Sequence, residues 1–81
     1  MRIHFFGRAG ERIGRSVDVD VPTDVADVAA LRHFLAGVYP HAAQELTSPS
    51  LRACLGDTMV TEDHDITGSA EVEFFPPLSG G

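Results

Sequence analysis

Residues 16–40 read Ser16-Val17-Asp18-Val19-Asp20-Val21-Pro22-Thr23-Asp24-Val25-Ala26-Asp27-Val28-Ala29-Ala30-Leu31-Arg32-His33-Phe34-Leu35-Ala36-Gly37-Val38-Tyr39-Pro40, and a change of period inside them decides the fold. The first six alternate without a fault, with Val17, Val19 and Val21 on one side and Ser16, Asp18 and Asp20 on the other. That is the two-residue period of a half-buried strand. Pro22 ends the strand, because it has no N–H to give to a ladder. From Asp27 the period becomes helical: Val28, Leu31, Leu35 and Val38 fall at i, i+3, i+7 and i+10, one apolar stripe for packing on a sheet. Asp27 is a good N-cap, since its carboxylate accepts from unpaired first-turn amides and suits the positive helix end. Pro40 stops the helix at about Tyr39.

Upstream, residues 2–6 alternate as well, Ile3 and Phe5 against Arg2, His4 and Phe6, which predicts another half-buried strand. Residues 7–15 carry Gly7, Gly10 and Gly14 among four charged residues and read as a connection, so the first two strands form an antiparallel hairpin. Downstream, residues 41–46 form one short turn ending at Leu46, and Ser48-Pro49 breaks it. Leu51, Ala53 and Leu55 alternate with Arg52 and Cys54, Gly56-Asp57 supplies a turn, and Met59-Val60-Thr61 follows as a strand. The acidic loop Glu62-Asp63-His64-Asp65 is closed by Ile66 and Gly68, and residues 70–75 alternate again. The order β-β-α-β-β-β predicts an α+β fold, the β-grasp or ubiquitin-like roll: a mixed sheet with one main helix packed across it and strand 70–75 beside strand 2–6. The inward set is Ile3, Phe5, Val17, Val19, Leu31, Leu35, Val72 and Phe74. Residues 1–75 make this one domain, and 76–81 are expected as a flexible C-terminal tail ending in Gly-Gly.

Eighty-one residues leave room for one core and no large enclosed active site. Twelve acidic residues oppose six basic ones, net −6, so a cationic face for a phosphate backbone is not expected and nucleic acid is excluded. No apolar run approaches the roughly 20 residues of a membrane span. The N-terminus lacks the apolar core of a signal peptide, and the single Cys54 rules out an internal disulfide framework. These absences predict a cytoplasmic protein. All six basic residues are arginines, so the chain has no side-chain amine for acylation or Schiff-base chemistry.

No conventional active site assembles from the side chains. His4, His33, His41 and His64 have no metal-ligand spacing, and His64 in its acidic loop reads as solvated, so no metal is expected. Cys54 lies beside Arg52, which would lower a thiol pKa, but a lone strand cysteine is more often a small packing residue. The tail Phe74-Phe75-Pro76-Pro77-Leu78-Ser79-Gly80-Gly81 is different. Pro76 and Pro77 fix φ near −65° and favour an extended rod that carries the tail off the body. Gly80 and Gly81 have no side chain, so the last peptide fits a channel too narrow for Cβ atoms, and the α-carboxylate becomes the reactive group. Phe6 and Phe75 have the wrong parity for the core, and together with Met59 they suggest an apolar docking patch.

That tail resembles the terminal signature of the small sulfur-carrier subunit of molybdopterin synthase, of the MoaD/ThiS-type ubiquitin-like family. The resemblance extends to Ile3-His4-Phe5-Phe6, to Asp27-Val28-Ala29-Ala30-Leu31-Arg32 and to the full length. It implies a non-catalytic small subunit, active only with a large catalytic subunit of molybdopterin synthase in a heterotetramer. It further implies that an E1-like adenylating and sulfurating enzyme uses ATP to activate Gly81, which becomes a thiocarboxylate, and that no cofactor is permanently bound. The charged tail then donates sulfur to a cyclic pterin monophosphate. On this resemblance Gly81 carries the sulfur, Gly80 is its slim neighbour, and the tail Phe74–Ser79 is the inserted segment, with Phe75, Pro76, Pro77, Leu78 and Ser79 binding the partner. The alternatives are a small ubiquitin-like modifier or a carrier for another sulfur pathway with the same tail, and a plain β-grasp interaction domain.

Overall fold

A parallel pairing of the first strand with the last organises the sheet. In the computed structural model, which describes residues 1–76, β1 (Arg2–Phe5) runs parallel to β5 (Glu71–Phe75), with Ile3 opposite Val72 and Phe5 opposite Phe74. Strand β2 (Ser16–Asp18) pairs antiparallel with the other edge of β1. Strand β3 (Arg52–Leu55) pairs antiparallel with β5, and β4 (Thr58–Val60) closes the hairpin that follows. The order β2-β1-β5-β3-β4 makes the mixed five-stranded sheet of a β-grasp. β5 therefore occupies the centre, hydrogen-bonded on both sides, and its C-terminal end opens onto the end of the sheet where β1 also finishes.

One main helix lies across the inner face, as its period requires. Helix α2 (Val28–Val38) is capped by Asp27, whose Oδ1 accepts from the Ala30 N–H at 2.9 Å. Val28, Leu31 and Leu35 are fully buried against Ile3, Phe5, Val72 and Phe74. The Phe5 and Phe74 rings stack with centroids 5.9 Å apart, an offset contact worth about 0.5–1.5 kcal/mol beyond its area. Val38, the fourth member of the expected stripe, is 45 % exposed. It is the last residue of the helix, and the half-buried Tyr39 and buried Ala42 pack beyond it instead. A 3₁₀ turn (Pro40–Ala42) and a short α3 (Ala43–Leu46) fill residues 41–46, with Leu46 buried.

Two expectations need correction. Residues 7–15 are not a plain connection, because Arg8–Ile13 form α1. Ala9 is buried and Ile13 half-buried, four apart on one face, and a Cβ on Gly10 would stand 2.6 Å from the Phe5 carbonyl oxygen. The glycine lets α1 settle directly on the end of β1, and that docking, not propensity, makes a six-residue helix persist. The second strand, predicted through Val21, stops at Asp18, because its partner β1 is exhausted there: Asp18 pairs with Arg2, and beyond it Val19 N–H donates to Met1 O and the Met1 amino group donates to Val19 O. Val17 and Val19 are accordingly half-buried, not core.

The most heavily connected side chain is charged. Arg32, on α2, is only 6 % exposed. It donates to the carbonyls of Leu46, Ser48 and Leu51, its Nε lies 2.8 Å from Glu62 Oε1, and its guanidinium sits 5.3 Å from the Phe74 ring centroid. One planar cation thereby ties α2 to the α3–β3 connection and to the loop after β4.

Candidate functional site

The outer face of the sheet follows from strand parity. Asp18, Arg2 and Glu71 form one cross-strand row. Ser16, His4, Glu73, Cys54 and Met59 form the next. The third row, at the end where the tail leaves, has Phe75 directly opposite Arg52. Phe6 follows Phe5, the partner of Phe74, so it stands beside Phe75, and its N–H donates to the Phe74 carbonyl at 2.9 Å. The face is thus polar and ion-paired at one end and aromatic at the other. Arg2 bonds Asp18 through two nitrogens at 3.0 and 3.2 Å, and His4 accepts or donates at Ser16 Oγ at 3.1 Å.

Of the expected docking residues, Phe6 is 50 % and Met59 56 % exposed, while Phe75 is half-buried. Phe6 and Phe75 are brought together; Met59 belongs to the neighbouring row, opposite Cys54, on the edge strand. Pro76 is exposed and lies against the Gly7 backbone, where a Cβ would come within 2.8 Å of its Cγ. Gly7 holds φ +73°, so it accommodates both the ring and the turn into α1. Phe6, Gly7, Arg8 and Pro76 line a groove of about 620 Å³ at the base of the tail. Pro77, Leu78, Ser79, Gly80 and Gly81 lie outside the described residues.

The side-chain alternatives weaken on inspection. Burial pushes the Cys54 thiol above its ordinary pKa, and the carboxylates of Glu73 and Asp57 push the same way, outweighing any help from Arg52. Cys54 is half-buried on the outer face of β3, opposite Glu73 and Met59, and is not part of the core. In the acidic loop, Asp63 accepts from the Thr61 hydroxyl at 2.6 Å and Asp65 from the Thr67 N–H at 2.9 Å, which holds both carboxyls below the usual range. The loop is pinned to α2 by Ile66 N–H to Ala26 O and Ala29 N–H to Glu62 O, so these carboxylates serve turns. Among the described residues no group of three His, Cys, Asp or Glu side chains is placed to hold a metal. No helix among them is long and apolar enough to cross a membrane.

Sequence reasoning missed α1 and the buried state of Arg32. The signal for α1 was present in the Ala9–Ile13 spacing, masked by three glycines. For Arg32 there was none, since its partners Leu46, Ser48, Leu51 and Glu62 are remote in sequence.

Comparison with known proteins agrees with this architecture. The molybdopterin synthase sulfur carrier subunit of Escherichia coli (strain K12) is 35 % identical over 81 residues, covering 100 % of this chain and 99 % of that protein. Two crystal structures of SAMP1, the small archaeal modifier protein 1 of Haloferax volcanii, share the fold. One has TM-score 0.77 at 23 % identity, over 99 % of this chain and 97 % of its own. The other has TM-score 0.78 at 20 % identity, over 95 % of each chain. The ThiS family matches residues 3–81. With that match and a relative similar along its whole length, the chain belongs to the ThiS family and is a sulfur carrier of the MoaD/ThiS type.

Proposed function

We propose that this protein carries sulfur for molybdopterin synthesis on the carboxyl group of Gly81. The observation that carries the reading is the whole-length similarity to the E. coli molybdopterin synthase sulfur carrier subunit. The sheet supports it: β5 is the central strand, so a tail continuing from Phe75 starts from the most firmly held position in the fold.

The chemistry follows from what a carboxylate lacks. It is a poor electrophile, so an E1-like enzyme first lets the Gly81 carboxylate oxygen attack the α-phosphorus of ATP, with pyrophosphate leaving. Sulfide from a sulfur donor then attacks the acyl carbon, the new C–S bond forming as the acyl–phosphate bond breaks and AMP leaves. The resulting thiocarboxylate is soluble and nucleophilic and needs no cysteine, which fits a chain whose one thiol has its pKa raised by burial and by neighbouring carboxylates. Gly80 and Gly81 let the end enter a narrow channel of the large synthase subunit, where sulfur passes to a cyclic pterin monophosphate. Phe6, Phe75 and Met59 supply the apolar contact that seats the carrier, and Pro76, Pro77, Leu78 and Ser79 span the distance to the channel.

The test is the intact mass of the protein after incubation with the activating enzyme, ATP and a sulfur donor. Wild type gains the mass of one oxygen-to-sulfur exchange, and a Gly81 deletion melts like wild type but gains nothing. Sulfuration of the deletion variant at the wild-type level would refute the assignment. Recovery of Gly81 joined to lysines of other proteins, without sulfuration, would establish the modifier reading instead.

A further inference from the structure

The arginines of this acidic chain are sorted by place. Arg2, Arg12 and Arg32 lie 3.0, 3.2 and 2.8 Å from carboxylate oxygens of Asp18, Glu45 and Glu62. Arg8, Arg15 and Arg52 are exposed and make no ion pair among the described residues. All three unpaired cations surround the aromatic end of the sheet. Arg52 stands directly opposite Phe75, Arg8 shares the tail-base groove with Phe6 and Pro76, and Arg15 lines a recess with Phe6 and Gly7. The carboxylates on these recesses are Glu45 and Glu62, already paired, and Glu11. Glu73, two residues before Phe75 on the same face, is a second unpaired carboxylate, so around the aromatic pair three unpaired cations stand against two unpaired carboxylates among the described residues, in a chain of net −6.

A surface that is apolar at its centre and cationic at its rim complements a partner that is apolar at its centre and acidic at its rim. We propose that the protein surface covering Phe6 and Phe75 carries carboxylates facing Arg8, Arg15 and Arg52, and that these pairs select and orient the partner. The inference rests on the docking role given to this end under Proposed function. Its physics is a contest of ranges. At long range the net −6 repels an acidic partner, while within a Debye length of about 8–10 Å the rim attracts it. Approach is favoured only with the tail end leading, the orientation that delivers Gly81. Rim charges act mainly on association rate and its salt dependence.

The experiment measures association with the large molybdopterin synthase subunit encoded in the same genome, at low and high salt. The variants are Arg52→Glu, Arg8→Glu and a control of matched charge, Thr23→Glu/Thr67→Glu, which adds two negative charges in exposed loops at the Met1 end of the sheet. At low salt Arg52→Glu and Arg8→Glu are each expected to associate about fivefold or more slowly, with dissociation little changed and the difference gone at high salt; the control stays within about twofold. Melting curves of all variants match wild type, since the substituted side chains are exposed. Arginine variants indistinguishable from the control overturn this inference and leave the docking reading standing. A wild type that does not associate at all overturns both. Capture of wild type by phosphatidylserine vesicles, lost in Arg52→Glu, would reassign the rim from a protein partner to a membrane and also overturn it.

Discussion

Removing the Arg32 guanidinium tests whether one cation holds three segments of the fold together. In Arg32→Met the stem keeps its packing while the carbonyls of Leu46, Ser48 and Leu51 lose their donor. The bonds to Leu46 and Leu51 are buried, and an unsatisfied buried acceptor costs about 1–3 kcal/mol, so these two account for roughly 2–6 kcal/mol. The Ser48 bond is only partly buried, and water replaces it at little cost. Loss of the cation over the Phe74 ring adds about 1–2 kcal/mol at a desolvated site. The ion pair adds least, about 0.2–1 kcal/mol, because Glu62 is 54 % exposed. Methionine recovers part of this by burying more apolar surface, leaving a net loss of about 3–5 kcal/mol. A domain of this size is stable by roughly 4–12 kcal/mol, so the variant sits near the edge of folding. The assay is thermal unfolding by circular dichroism of wild type, Arg32→Met and Glu62→Gln. Arg32→Met should lower Tm by roughly 15–30 °C and Glu62→Gln by less than about 8 °C. Equal losses in the two variants would mean that the ion pair, not the carbonyl brace, holds the segments, and a loss below about 1 kcal/mol for Arg32→Met would refute the argument altogether.

Other consequences are open to direct measurement. Phe6→Ser, at a half-exposed site opposite the core, should leave Tm within a few degrees but weaken binding of the large synthase subunit about tenfold or more; collapse of the fold would place Phe6 in a second core instead. Asp18, Asp63 and Asp65 have folded pKa values below the ordinary 3.8, because Arg2, Thr61 and Thr67 hydrogen-bond their charged forms. Their contribution is complete above the unfolded value and lost as pH falls through the folded ones, so stability should be flat near neutrality and decline only below about pH 4. Asp63→Asn and Asp65→Asn should flatten that acid limb in pH-dependent urea unfolding, and an unchanged limb would count against it. Cys54, with its thiol pKa raised by burial, should alkylate more slowly than a free cysteine at pH 8 and reach the free rate in denaturant.

What could be read from the chain alone was local in origin. The switch from a two-residue to a helical period at Asp27, the cap itself and the division of each strand into inner and outer sets depend only on neighbours in sequence, and α2, β1 and β5 follow them. The tail is likewise a string of residue types with intrinsic backbone properties, and its reading from Pro77 onward falls outside the described residues. Three features were decided only by tertiary structure. Helix α1 is too short and too rich in glycine to persist by propensity, and it exists because Gly10 lets it rest on the Phe5 carbonyl. Arg32 occupies a position that a periodic pattern assigns to no particular environment, and it is buried because carbonyls 14, 16 and 19 residues away converge on it. The gathering of Arg8, Arg15 and Arg52 around Phe6 and Phe75 arises from strand register, which puts residue 52 on one side of 75 and residue 6 on the other, and from α1 and the start of β2, which carry Arg8 and Arg15 to the Phe6 side. Sequence periodicity states which face a side chain takes; only the closing of the sheet states which distant side chain it meets there.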